Sequence, residues 1–156
     1  DRRLSNNWNN DKIKLVNVIS SFYYKSPFFD EVFNLIREII NYDNNNLFYF
    51  LLNSLKAINR YLDIKTELII SSKIDIDHSL KGKDKVLSIC KKMRASKYYN
   101  PIGGKNLYEK EDFKNNSINL KFMKINDSIN TFSIIDVMMK NDKKNIGNML
   151  SKFTLI

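Results

Sequence analysis

Seven side chains and backbone positions in two short stretches are suited to holding an anionic substrate: Ser71 and Ser72, then Asn100, Gly103, Gly104, Lys105 and Asn106. Adjacent glycines permit backbone conformations that side chains forbid and let a ligand approach the main chain closely. Lys105 sets a cation beside exposed N–H groups, an arrangement that suits a phosphate or carboxylate. Ser71, Ser72 and Asn100 offer neutral hydrogen bonds to orient the rest of such a molecule. The spacing Tyr99-Asn100-Pro101-Ile102-Gly103-Gly104-Lys105-Asn106 is neither a Walker A motif nor GxGxxG. A tight turn after a strand is therefore the plainer alternative, as loop chemistry or capping is for Ser71-Ser72.

The other reactive side chains point to no reaction. His78, the single histidine, lies in the polar run Asp75-Ile76-Asp77-His78-Ser79, where a solvent-exposed role outweighs that of a general base. Asp75 and Asp77 alone do not make a metal site. Cys90, the single cysteine, falls on an apolar helix face and reads as a core thiol. One cysteine and one histidine exclude an internal disulfide and a Cys/His zinc site, while carboxylate sites for magnesium stay open. Asp136, among apolar neighbours, reads as a capping or interface carboxylate. No residue qualifies as nucleophile or base, and no motif calls for a cofactor.

Those residues need elements to hold them. Leu15, Val18, Ile19, Phe22 and Tyr23 recur at helical spacing until Ser26-Pro27, which ends one helix and suits the start of the next. The second helix carries Val32, Phe33, Leu35, Ile36, Ile39 and Ile40 in a wide stripe and should be well buried. Asn45 or Asn46 can cap a third, with Phe48, Leu51, Leu52, Leu55, Ile58 and Leu62 on one side. Thr66–Ile70 is short, β-branched and apolar, and reads as a buried strand. A helix over Val86–Met93 and a short strand at Lys97–Tyr99 follow, so strand, helix and strand suggest a parallel βαβ unit. If both strands are parallel, Ser71-Ser72 and the Asn100–Lys105 turn open on one sheet edge, where ligands bind. Glu111–Asn115 suits one helical turn, Asn119–Ile125 an edge strand, and Ser133–Met139 and Lys143–Phe153 two further helices. The result is an α/β fold with a small, mainly parallel sheet flanked by helices, a helix-rich N-terminal half, and a single domain over 1–156.

Composition bounds the function. Hydrophobic residues make up 43% of the 156, enough for a core, which excludes disorder throughout. About one residue in seven is Asn, which with abundant Lys and Ile reads as coding bias. The longest apolar run, Leu47–Leu52, is far short of a membrane span, and no signal peptide opens the chain. The net charge of +9, from 26 Lys+Arg against 17 Asp+Glu, invites a nucleic-acid reading. The lysines are spread along polar helix faces, however, and no RNA- or DNA-binding signature accompanies them. Nucleic acid is thus disfavoured, and a non-catalytic basic module for nucleic acid or an acidic partner is the alternative to an enzyme that takes an anionic small molecule.

Across Asn7–Asp136 the order of motifs resembles the WbqC-like protein family of bacteria. Carrying it are Tyr24-Lys25-Ser26-Pro27-Phe28-Phe29, Leu62-Asp63-Ile64-Lys65-Thr66 leading into Ile69-Ile70-Ser71-Ser72, and Leu87-Ser88-Ile89-Cys90-Lys91. Gly103-Gly104-Lys105-Asn106-Leu107-Tyr108, Phe113 and Ser133-Ile134-Ile135-Asp136 complete it. The resemblance implies a cytoplasmic enzyme of surface-polysaccharide or O-antigen biosynthesis. Its expected substrate is a nucleotide-linked amino sugar, modified by acyl or aminoacyl transfer. Family members also carry an aromatic-rich upstream segment. This chain opens on Asp1-Arg2-Arg3-Leu4, so the resemblance implies an incomplete domain lacking an upstream strand or strands.

Overall fold

A computed structural model describes residues 2–125 and 133–156. They fall into two compact units, Asp1–Glu67 with Asn130–Leu150, and Leu68–Ile129 with Ser151–Ile156.

The first unit is helical. Helix α1 (Trp8–Tyr23) ends before Pro27, α2 (Phe29–Ile40) begins just after it, and α3 (Leu47–Tyr61) starts on Asn46. The Asn46 Oδ1 accepts from the Phe48 N–H at 2.9 Å and the Tyr49 N–H at 3.4 Å, which satisfies donors that a helix start leaves free. The wide stripe of α2 is central: Val32, Leu35, Ile36 and Ile40 are buried. Helix α1 turns only part of the expected stripe inward. Ile19 is buried, with Trp8, Val16 and Tyr23 packed against the core, while Leu15, Val18 and Phe22 stay exposed. In α3 likewise the expected Ile58 and Leu62 face the core, joined by Ala57 and Tyr61, while Phe48, Leu51 and Leu55 do not. Both helices are apolar on more than one face, so periodicity alone leaves the buried stripe undetermined.

The second unit holds α4 (Gly82–Lys92), α5 (Lys110–Lys114) and a sheet of β1 (Lys97–Pro101), β2 (Asn119–Ile125) and β3 (Phe153–Leu155), in the order β1-β2-β3. The α/β reading holds, with a small helix-flanked sheet that is mixed: β1 pairs parallel with β2, and β3 pairs antiparallel with it. Strand β2 is therefore central, not an edge. The expected strand at residues 66–70 does not form. That segment is irregular, and Leu68 and Ile69 are exposed. Its β-branched composition has no neighbouring strand to pair with, and strand propensity is realised only in such pairing. The parallel pair is made instead through the connection of residues 102–118. The tail expected to extend a helix to Phe153 leaves α7 (Lys143–Leu150) and enters β3.

Helix α6 (Ile134–Lys140), like α7, belongs to the first unit and is capped by Ser133, whose Oγ accepts from the Ile135 N–H at 3.2 Å. Val137, Met138 and Met139 of α6 are buried in that unit's core. In the second unit Cys90, Phe113, Ile118, Leu120 and Phe122 form the core, which Val86, Leu87, Tyr98 and Tyr108 line.

Three helix ends share one device. Asp63, Arg94 and Ser117 take positive φ of 57°, 52° and 59°. After each, an N–H reaches back five residues: Ile64 to Asn59, Ala95 to Cys90 and Ile118 to Phe113. These are Schellman closures, with a non-glycine residue where glycine is the usual occupant.

Candidate functional site

The turn that follows β1 is built by its own strand. Residues Ile102–Leu107 form a 3-10 helix directly off Pro101. Because β1 and β2 are parallel, this turn and the end of β2 share the carboxyl edge of the sheet. Asn100 and Gly104 meet across the corner: a methyl group added to Gly104 would collide with the Asn100 carboxamide, whose Cγ would stand 3.1 Å from it. A side chain at Gly104 would thus displace the Asn100 carboxamide from this corner. Gly103 faces open space. Neither glycine has positive φ, which among the glycines belongs to Gly82 alone, so the expectation that the pair exploits forbidden backbone space is corrected. Lys105 and Asn106 are exposed on the same turn.

Ser71 and Ser72 are also exposed, in a 3-10 turn over Ser71–Lys73. With no strand before them, the topological argument that placed them on the ligand-binding edge lapses. Among the described residues no hydrogen bond ties them to Asn100–Asn106. The structure therefore brings together Asn100 and Gly104, with Gly103, Lys105 and Asn106 on the same turn, and leaves the serines on a separate one.

The remaining reactive groups are structural. Cys90 is buried, and desolvation pushes its thiol pKa up, away from a reactive thiolate. Tyr98 is pushed up to about 12, first by burial and then by the neighbouring Tyr108 hydroxyl. His78 is exposed, with Nε2 3.0 Å from the Ile74 carbonyl. Asp75 pairs with Lys92 at 2.7 Å, and Asp77 accepts from the Ser79 hydroxyl at 2.7 Å. No metal-competent cluster of His, Cys, Asp or Glu occurs among the described residues.

Asp136 proves to be the interface carboxylate that its sequence context suggested, whereas two cavities escaped the sequence. In the first unit Asp136 accepts from the Tyr23 hydroxyl at 3.2 Å and pairs with Lys140 at 2.7 Å, so it is an interface carboxylate linking α1 to α6. The i,i+4 spacing to Lys140 was the available signal. The Tyr24–Phe29 segment, with Asp30 and Glu31, lines a cavity of about 240 Å³ in the same unit. In the second unit a cavity of about 430 Å³ opens at the amino edge of the sheet, against Ser96 and α5. No local pattern announces it, since Ser96 and Asn119 are brought together only by strand pairing.

Asp136 makes a pH prediction. The Lys140 ammonium first, then the Tyr23 hydroxyl, hold its carboxyl below the usual range, with burial opposing them. A lowered folded-state pKa contributes stability above the unfolded value, which is lost as pH falls through the folded one. Wild-type stability is expected to decline more steeply than that of Asp136→Asn below about pH 4. Urea titrations at stepped pH check this, and parallel curves would refute it.

The class these features define is a helix-rich α/β protein with a small mixed sheet and a polar turn at that sheet's carboxyl edge. The chain belongs to the WbqC-like protein family, whose model matches residues 1–147. No curated protein and no solved structure matches it. Among the described residues no helix is long and apolar enough to cross a membrane.

Proposed function

We propose that this protein is a transferase that modifies a nucleotide-activated amino sugar by acyl or aminoacyl transfer, in bacterial surface-polysaccharide or O-antigen synthesis in the cytoplasm. Membership of the WbqC-like family over residues 1–147 carries the reading. The turn at the carboxyl edge of β1 supports it. There Lys105 is exposed and has no ion pair among the described residues, as a cation awaiting an anionic ligand should be. In this reading the Gly103 and Gly104 backbone and Lys105 hold the pyrophosphate. The Asn100 carboxamide, set in place over Gly104, and Asn106 hydrogen-bond the sugar.

The test is a thermal-shift screen against nucleotide-linked amino sugars. Binding to the native state raises the melting temperature. Lys105→Ala is expected to weaken the responding ligand by roughly tenfold, the usual loss of a charge-assisted hydrogen bond. A panel in which no nucleotide sugar shifts the transition sinks the substrate class. An unchanged response in Lys105→Ala sinks the assignment of that residue.

A further inference from the structure

We infer a second anion site in the cavity at the amino edge of the sheet, distinct from the Gly103–Lys105 turn and suited to a phosphate monoester carried on an apolar body. The cavity, about 430 Å³, has the size of a small-molecule pocket. Its floor is apolar, made by the buried Ile118 and Leu120. The other residues that line it are Lys110 and Lys114 from α5, Ser96, Ser117 and Asn119, none of them acidic.

The local fold explains why these groups converge. Lys110 and Lys114 are four residues apart on α5 and so share one face. The acidic neighbours on that helix do not line the cavity. Asp112 is engaged by Lys83 at 2.6 Å, and Glu111 reaches Lys114 only at 3.8 Å, with both side chains largely exposed. Lys110 has no ion pair among the described residues. The Schellman closure after α5 turns the chain at Ser117, and the Asn119 N–H donates to the Ser96 carbonyl at 2.9 Å, fixing the opposite wall. Two ammonium groups match the charge of a phosphate monoester, close to −2 at neutral pH. Ser96, Ser117 and Asn119 add neutral polar groups, and the apolar floor takes the body of the ligand.

The experiment is an amide NMR titration of the full chain with phenyl phosphate, with inorganic phosphate, benzoate and benzyl alcohol as separate arms. Saturable shifts at Ser96, Ser117, Ile118 and Asn119 are expected with phenyl phosphate, at lower concentration than in any other arm. The Lys110→Gln, Lys114→Gln double variant is expected to weaken it about tenfold or more with the spectrum otherwise preserved. Equal responses to benzoate would replace phosphate by carboxylate and overturn the ligand class. Shifts centred on Gly103–Asn106, no saturation, or an unchanged double variant would overturn the site.

Discussion

Phe113→Ala is expected to lower the unfolding free energy by about 3–5 kcal/mol, the usual cost of emptying a buried phenyl site. Phe113 is 0% exposed. Its ring stacks on Tyr98 at 5.5 Å and meets Tyr108 edge-on at 5.7 Å, so truncation removes two aromatic pairs as well as apolar area. Its carbonyl accepts from both the Asn116 and Ile118 N–H groups, so the ring sits where α5 is closed. Domains of this kind hold only about 5–15 kcal/mol in total, so the loss takes a large share of what the second unit has. Guanidinium unfolding followed by circular dichroism measures it. Phe113→Leu, which keeps most of the volume, should cost much less. A loss below about 1 kcal/mol in the alanine variant would mean that the ring does not anchor this core.

Met139→Ala carries the corresponding effect in the first unit. Met139 is also 0% exposed, among Val32, Leu35, Ile36 and Met138. Its backbone carbonyl accepts from the Phe28 N–H at 3.3 Å, which joins α6 to the turn before α2. Truncation should cost about 2–5 kcal/mol, and Met139→Leu less than about 1.5. Trp8, the single tryptophan, packs against this core and edge-on to Phe50 at 5.4 Å. Its fluorescence reports the first unit directly. An unfolding midpoint that does not move in Met139→Ala would refute the packing.

Where a local rule decides, the sequence was legible. Pro27 separated α1 from α2, Asn46 capped α3, and the strand after α4 lay where its residues suggested. Where a distant partner decides, it was not. Residues 66–70 and 153–155 have similar apolar character, yet only the second forms a strand, because β2 lies beside it. The site followed the same division. Lys105 and the glycines were visible in one short stretch. The closeness of Gly104 to the Asn100 side chain depends on how a 3-10 turn folds over the strand it leaves. The amino-edge cavity needs strand pairing and a left-handed Ser117, neither of which spacing reveals.

The order of segments in the two units bears on how this chain folds. The first unit is interrupted by residues 68–129, and the second gains its third strand only from residues 151–156. The Ile156 N–H and carbonyl close the ladder on Phe122 at 2.9 Å each. Each unit is thus assembled from two stretches that flank part of the other. The slow step is the joining of segments far apart in sequence, where loop entropy must be met before contacts repay it. Until residues 153–155 dock, the β3 side of β2 has no partner strand, an exposed edge of the kind that invites pairing with another chain.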